Sequence, residues 1–298
     1  MIQQLKNSSL KKMSLDPREF AYKSDLAAEY LREIIEADKY SLGETFRIIT
    51  NVVPMRRCAS NSSERVSELL FGEEIIIFET SDEWAWGQSQ TDGYVGYVSK
   101  NSISNQLRQG THEVSALRTF VFDEPNIKAN VVACLSMTSR IKITDVKNSF
   151  SYIESLGWVF EKSICCIGNL ELDAVSVAQR YTGTPYLWGG RSSIGIDCSA
   201  LVQLSLSRVG VLAPRDTDQQ AKSVGKFIGD DTTELQRGDL IYMKGHVAIA
   251  TTPNTILHAN AFHMSVEEEG IDKFLHRLSK HNIQISHVRR PLKLITNQ

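Results

Sequence analysis

The sequence predicts an α+β protein made of several domains, and three observations support this prediction. A chain of 298 residues is long enough to bury more than one hydrophobic core. Between residues 45 and 105, short strand patterns follow one another, separated by Gly, Asp, Ser and Pro as in a small β-barrel. After residue 189 a glycine-rich loop runs into a helix pattern, and two buried strand patterns follow further along the chain.

The N-terminal region, residues 1–44, is predicted to be a tail followed by a helical arm. Residues 1–15 are polar, and we expect them to be mobile. In the segment 16–40, apolar side chains recur at helical spacing at Leu26, Tyr30, Ile34 and Ala37. This stripe predicts a helix that packs on another domain.

Residues 45–105 are predicted to form a first small barrel. Four segments have the composition of strands, at 46–49, 74–78, 84–88 and 93–98. The Leu-Leu-Phe-Gly-Glu turn at 69–73, with the later Gly-Tyr-Val-Gly-Tyr-Val run, resembles a bacterial SH3-like domain.

Residues 106–168 repeat this pattern less clearly. The segment 114–118 echoes 52–56, and 155–159 echoes 94–98, which indicates an internal repeat. The region is therefore similar to a second, diverged SH3-like domain.

A candidate nucleophile lies at the start of the next predicted helix. Asp197 has the character of an N-cap, Cys198 falls in the first turn, and Gly210 is a plausible stop. A thiol at this position feels the positive end of the helix dipole, which favours the nucleophilic thiolate. The alternative interpretation is that Cys198 is a small buried core residue, the commoner role of a free cysteine.

Two histidines follow in strand patterns. His246 opens the buried segment 245–250, and His258 lies in the segment 256–260, beyond a Pro-Asn turn. Paired as a hairpin, these segments bring the two rings side by side. A base and an orienting polar group then accompany the cysteine, in the chain order Cys, His, His. For either histidine alone, a structural role is the competing interpretation.

Four motifs in this order resemble the NlpC/P60 cysteine peptidases, papain-like bacterial enzymes that cut peptidoglycan stem peptides. They are Asp-Cys-Ser at 197–199, Arg-Gly-Asp-Leu at 237–240, Gly-His-Val-Ala-Ile at 245–249 and Leu-His-Ala at 257–259. The resemblance covers residues 169–298 and implies that Cys198 is the nucleophile, His246 the base and His258 the residue that orients it. The backbone N–H of Cys198 would be an oxyanion donor.

Two further segments of this region are interpreted as structural. The Pro-Tyr-x-Trp-Gly-Gly approach at 185–190 is also found in the family, and we interpret it as a core turn with Trp188 packed as a lid. Asp239 is expected to lie in a turn before a core strand and not to act as a catalytic acid.

The order of domains narrows the expected substrate. Two SH3-like domains before an NlpC/P60 domain resemble the γ-D-glutamyl-L-diamino acid endopeptidases of cell-wall recycling. These release L-Ala-γ-D-Glu from stem peptides whose N-terminal L-Ala is free. Carried over motif by motif, the resemblance implies that substrate is bound by Asp197, Ser199, Asp216, Thr217, Tyr94 and Glu64. For Tyr94, ordinary barrel packing is an equal alternative.

The composition of the chain argues against several other classes of binding partner. With 33 basic and 35 acidic residues the net charge is −2, which gives no electrostatic case for nucleic acid or an anionic membrane. No apolar run approaches the ~20 residues of a membrane span. The polar N-terminus has no signal-peptide core, so a cytoplasmic location is expected. The five cysteines form no disulfide framework, and no metal or cofactor site is predicted. The oligomeric state is left open.

Two other functions remain open at this point. Cysteine–histidine chemistry does not choose the acceptor, so an amidase or acyltransferase on the same papain-like scaffold is the first alternative. A non-catalytic cell-wall-binding protein carried by its SH3-like domains is the second. The intact set of Cys198, His246 and His258 argues against this second alternative.

Overall fold

The computed structural model describes residues 15–106 and 108–291, so the predicted tail lies outside the described residues except for Leu15. Within these ranges no helix is both long enough and apolar enough to cross a membrane. The chain forms an N-terminal arm, two small barrels and a mixed catalytic domain.

The arm is not helical as predicted. It contains the parallel strands β1 (Leu26–Ala28) and β2 (Lys39–Ser41), joined through a 3-10 turn at Glu29–Leu31. The three residues of β1 are all buried, since Leu26 and Ala28 pack on the first barrel while Ala27 packs inside the arm. Consecutive burial on both faces favours an extended strand over a helix with one apolar stripe.

The first barrel is one antiparallel sheet with the order β5-β4-β8-β7-β6-β3-β9. The strands predicted from composition are confirmed, and Val52–Arg56 and Arg65–Leu70 are strands as well. Its strands are β3 (Glu44–Ile48), β4 (Val52–Arg56), β5 (Arg65–Leu70), β6 (Glu74–Thr80), β7 (Trp84–Ser89), β8 (Val95–Ser99) and β9 (Ile103–Ser104).

The second barrel repeats this plan in two sheets, β13-β10-β17 and β12-β11-β16-β15-β14. In both barrels a strand runs into a 3-10 turn and a short strand that pairs with the first strand of the barrel. The strands are β10 (His112–Val114), β11 (Arg118–Phe122), β12 (Val131–Ser136), β13 (Arg140–Ile141), β14 (Ile143–Lys147), β15 (Phe150–Ile153), β16 (Gly157–Phe160) and β17 (Ile164–Cys166).

The catalytic domain packs helices on an antiparallel sheet of order β18-β23-β19-β20-β21-β22. The helices are α1 (Ala174–Gln179), α2 (Cys198–Ser207), α3 (Thr217–Ser223) and α4 (Ile271–Lys280). The strands are β18 (Lys226–Gly229), β19 (Leu240–Met243), β20 (His246–Thr252), β21 (Thr255–Asn260), β22 (Ser265–Gly270) and β23 (Ile285–Arg290). The predicted hairpin is confirmed, with Ile249 opposite Leu257. Asp239 is fully buried and pairs with Arg290, a structural role as expected.

The glycine-rich loop before α2 joins the catalytic domain to both barrels. Arg191 forms an ion pair with Glu73 of the first barrel at 2.9 Å, and both side chains are 2% exposed. Ser193 shares a hydrogen bond of 2.9 Å with Ser136 of the second barrel. Gly189 has φ +70°, and a Cβ there would lie 2.6 Å from the carbonyl oxygen of Arg65. The loop therefore needs glycine at this close approach to the first barrel.

Candidate active site

Cys198 is the first residue of α2, and its position is fixed by the cap before it. Asp197 has extended backbone, and its carboxylate accepts a hydrogen bond from the N–H of Ala200 at 2.9 Å. This is the bonding pattern of an N-cap. The thiol is 6% exposed and lies against the apolar residues between α2 and the sheet.

The hairpin brings the two predicted histidines together. His246 begins β20, His258 lies in β21, and their atoms Nε2 and Nδ1 are 2.9 Å apart. Helix α2 packs on both strands. The backbone N–H of Val247, the residue after His246, lies beside the Cys198 thiol and acts to lower its pKa. The structure therefore groups the three predicted catalytic residues at one end of the hairpin.

Burial disfavours the charged forms of both Cys198 and His246. Burial raises the pKa of the Cys198 thiol to about 12, with the charge of Asp197 acting in the same direction. Burial also lowers the pKa of His246 to about 3, although part of the ring is exposed, and the neighbouring His258 lowers it further. Burial thus opposes the thiolate that the position at the helix N-terminus is expected to favour. Attack then requires His246 to remove the thiol proton.

A cleft of about 390 Å³ opens beside Cys198, and its walls come from the arm, the first barrel and the catalytic domain. It collects every residue predicted to bind substrate. Those residues are Glu64 and Tyr94 from the barrel, with Asp197, Ser199, Asp216 and Thr217 from the catalytic domain.

Asp197 and Ser199 are already engaged within the protein. Arg215 contacts both oxygens of Asp197, at 2.6 and 3.0 Å, and donates to the hydroxyl of Ser199 at 2.9 Å. The guanidinium of Arg215 is buried and also reaches Ser67 of the first barrel. The charge of Asp197 is thus neutralised, which makes it a poor partner for a substrate ammonium group.

Asp216 is another carboxylate that lines the cleft. Its Oδ2 accepts a hydrogen bond from the hydroxyl of Tyr94 at 3.0 Å and one from Arg18 at 2.8 Å. Burial raises the pKa of Asp216, although Arg215 and these donors oppose the rise. Tyr94 packs in the barrel core and also presents its hydroxyl to the cleft, so the two interpretations of this residue both apply.

Residues 183–293 match the NlpC/P60 family, and residues 55–103 match the bacterial dipeptidyl-peptidase Sh3 domain. A protein of Haemophilus influenzae named probable endopeptidase NlpC homolog is 38% identical over 134 residues, covering 42% of this chain and 70% of that protein. The chain belongs to the NlpC/P60 family.

Longer relatives of this NlpC/P60 protein extend the similarity beyond that domain. Dipeptidyl-peptidase 6 of Lysinibacillus sphaericus is 27% identical over 240 residues, which covers 71% of this chain and 86% of the relative. A gamma-D-glutamyl-L-lysine dipeptidyl-peptidase of Bacillus cereus is 24% identical over 241 residues, covering 70% and 71%. The crystal structure of an NlpC/P60 family protein from Bacillus cereus has a TM-score of 0.69 at 16% identity, covering 84% of this chain and all of that one. This last likeness shows a shared fold.

The cleft of this NlpC/P60 protein contains a cation that sequence reasoning missed. Arg18, from the arm, lies among the carboxylates of Asp16, Asp216 and Asp218 at 2.6 to 2.8 Å. No pattern in the sequence links an arginine near the N-terminus to a loop 198 residues later. Asp216 and Asp218 both line the cleft beside Arg18, so the carboxylates outnumber the guanidinium at this contact.

The aromatic approach to the nucleophile is not a closed core turn. Trp188 is 59% exposed and lines the cleft, where its Nε1 donates to Glu64 at 3.0 Å. The interpretation of Trp188 as a packed lid is therefore wrong, because its partner Glu64 is held at the surface by Arg57. Tyr186 also lines the cleft. Burial raises the pKa of Tyr186 to about 12, and a thiolate at Cys198 would act in the same direction.

One group of side chains has the donors of a metal site. Ligand atoms of His258, His263 and Glu269 lie within 4.8 Å of one another. Arg277 forms an ion pair with Glu269, and His246 occupies Nδ1 of His258. A guanidinium beside the carboxylate opposes a second cation, so we assign this group to histidine orientation.

Proposed function

We propose that the protein is a cysteine endopeptidase that hydrolyses the γ-D-Glu–diamino acid bond of peptidoglycan stem peptides with a free N-terminal L-Ala. One observation carries the proposal: Cys198 and the acidic group around Asp216 share a single cleft. The names of the relatives, a dipeptidyl-peptidase and a gamma-D-glutamyl-L-lysine dipeptidyl-peptidase, support the same substrate class.

The residues support acyl transfer through a thioester. His246 takes the thiol proton as Sγ of Cys198 attacks the γ-carbonyl carbon of D-Glu. The backbone N–H of Cys198, at the N-terminus of α2, can donate to the developing oxyanion. When the C–N bond breaks, His246 returns the proton to the amine of the diamino acid. Water then gives a proton to His246 and attacks the thioester carbonyl; the C–S bond breaks, L-Ala-γ-D-Glu leaves, and His246 returns the proton to Sγ of Cys198.

The acidic part of the cleft supports recognition of an ammonium group. A cation enclosed in a cleft needs fixed acceptors to replace its water, and Asp216 is a carboxylate held in place by Tyr94 and Arg18. Thr217 adds a hydroxyl to the same wall. Asp197 is neutralised by Arg215, so Asp216 is the better of the two carboxylates considered for this role.

Selection for a free amine would confine the enzyme to released fragments. In intact peptidoglycan the L-Ala nitrogen is amide-linked to the glycan, so it carries no charge for Asp216. We therefore propose a role in recycling stem peptides, and a cytoplasmic location fits that role.

The first experiment tests the nucleophile. Cys198→Ala should abolish hydrolysis of a free stem tripeptide, by about a thousandfold or more, because the attacking atom is removed. His246→Ala should be similarly inactive, and His258→Ala should lose less because it orients the base. Circular dichroism should show an unchanged fold for each variant. Substantial turnover by a folded Cys198→Ala protein would show that another residue attacks.

A further inference from the structure

We propose that Glu269 is a positioning residue that selects the reactive tautomer of His246 by acting through His258. The proposal rests on the proposed cysteine chemistry. It concerns two residues, Glu269 and Arg277, that carry no motif in the sequence.

The geometry places a carboxylate directly behind the histidine pair. Nε2 of His258 is 2.9 Å from Oε1 of Glu269, although its N–H is not aligned for a regular hydrogen bond. Active-site hydrogen bonds are often poorly aligned before substrate binds. Glu269 lies on β22, diagonal to His258, whose direct partner in the ladder is Glu267. Residues two apart on a strand share a face, so Glu269 faces the ring.

Glu269 is held as an anion. Arg277 of α4 donates to both of its oxygens, one of them at 2.9 Å. Burial acts to raise the pKa of Glu269, but the hydrogen bonds and the charge of Arg277 oppose this, and the pKa lies below its ordinary value. An ionised carboxylate only accepts hydrogen bonds.

This acceptor determines where the protons of both rings lie. Beside an anion, Nε2 of His258 must carry hydrogen, since a lone pair there would be repelled. A neutral His258 then has a lone pair on Nδ1, which accepts the Nε2–H of His246 across 2.9 Å. Nδ1 of His246 is left without hydrogen, as a base requires. Because His258 engages Nε2 of His246, Nδ1 is the ring nitrogen left to accept the thiol proton, and the opposite arrangement would put an N–H on it.

Glu269 is the carboxylate among the groups that perturb the pKa of His258, and Glu267, the ladder partner of His258, forms no hydrogen bond or ion pair with a described residue. His246 reaches it from β20, His263 lies beyond β21, and Arg277 and the ring of Phe274 face it from α4. His258 is 1% exposed, so water does not substitute for the carboxylate. Glu269 is thus the acceptor available to Nε2.

The test compares Glu269→Ala with Glu267→Gln. Glu267 lies on the same strand and loses the same charge, but it forms no hydrogen bond or ion pair with a described residue. For folded Glu269→Ala we expect kcat to fall roughly 10- to 100-fold while KM changes less than about threefold, because a wrong tautomer disables the base rather than binding. Glu267→Gln should behave as wild type.

Two measurements that need no substrate test the role of Glu269 independently of the proposed function. Nitrogen-15 NMR of the histidine rings should show Nδ1 of His246 unprotonated in wild type and partly protonated in Glu269→Ala. Alkylation of Cys198 by iodoacetamide, located by peptide mass spectrometry, should slow in parallel. If wild type shows these properties but cleaves no stem peptide, the proposed function fails and the positioning role stands.

Wild-type tautomers and alkylation rates in folded Glu269→Ala would overturn the positioning role. If that variant does not fold, Glu269→Gln takes its place. Its carbonyl can still accept from Nε2, but the negative charge is gone, so both readouts should lie between wild type and complete loss. Values for Glu269→Gln equal to wild type would equally overturn the proposal.

Discussion

At the scale of single residues, His246 and His258 lie in an environment that disfavours the charged imidazolium. The pKa of His246 is about 3 and that of His258 about 4, in each case chiefly because burial disfavours the imidazolium. A histidine with an ordinary pKa near 6.5 would already be half protonated in weakly acidic solution. The base in this protein stays neutral well below that value.

The lowered pKa values of the two histidines predict how activity changes on the acid side of the pH profile. We expect kcat/KM on a free stem tripeptide to stay level from pH 7 down to about pH 5 and to fall below that, as the two histidines protonate. A decline centred near pH 6.5 would contradict the assignment. Alkaline loss should begin near pH 8, where a peptide α-amine loses its charge.

The same shifts affect stability, with the sign set by linkage. The unfolded chain binds protons at these histidines below about pH 6.5, whereas the folded protein resists until its lower pKa values are reached. Stability is therefore lost as the pH falls through this interval. Circular dichroism at each pH is the control that separates unfolding from protonation of the base.

Residue-level reasoning brought out Cys198 and both histidines as candidates but not Arg18, Glu269 or Arg277. Cys198 and His246 stand in local patterns, a helix cap and the start of a buried strand, that are visible in a few neighbouring residues. Glu269 becomes relevant only once β22 pairs with β21, and Arg18 only once the arm lies on the cleft. Contacts of this kind depend on register and domain packing, which single-sequence patterns do not specify.

At the scale of elements, the loop before α2 connects the helix that carries Cys198 to the two barrels. Its Arg191 side chain is paired with Glu73 and also donates to Gln203 of α2 at 2.7 Å. Removing one partner of a buried pair leaves the other charge without compensation. The stability of the interface and the placement of Cys198 therefore depend on the same few side chains.

We expect Glu73→Gln to lower the free energy of unfolding by about 3–5 kcal/mol, the usual cost of breaking a buried ion pair. A urea titration followed by circular dichroism measures this. Glu29→Gln is the control, because the Glu29–Arg32 pair is on the surface and its loss should leave the midpoint unchanged. Equal midpoints for wild type and Glu73→Gln would mean that the pair contributes nothing to the interface.

Secondary structure was predicted correctly where the pattern of apolar residues was compatible with only one kind of element. The hairpin of β20 and β21 has buried runs bounded by a turn, and the helix beginning at Cys198 has a cap and an apolar repeat. The helix predicted for the arm was wrong because the same apolar spacing also fits an extended segment that packs on both of its faces. Tyr30 and Ile34 of the predicted stripe are 40% and 38% exposed, while Leu26, Ala27 and Ala28 are buried in succession.

At the scale of the whole molecule, the substrate cleft is a composite of three parts. Arg18 comes from the arm, Glu64 and Tyr94 come from the first barrel, and Cys198 and Asp216 come from the catalytic domain. The order of domains could be predicted from sequence motifs, but this convergence could not, because it depends on how the parts dock. The first barrel thereby forms part of the cleft beside Cys198. This arrangement is the basis for proposing a substrate with a defined, charged end.

The central claim is that this composite cleft recognises a free amine two residues before the cleaved bond. The decisive measurement is mass spectrometry of the products from L-Ala-γ-D-Glu-diaminopimelate and its N-acetyl form. Wild type should release L-Ala-γ-D-Glu from the free peptide and leave the acetylated one intact. Asp216→Asn should lower kcat/KM for the free peptide by a factor on the order of ten to a hundred, because a charge-assisted contact is lost. Asp38→Asn, at an exposed carboxylate of the arm that does not line the cleft, should change it little. Equal cleavage of both peptides by wild type would contradict the claim and indicate a general stem-peptide hydrolase.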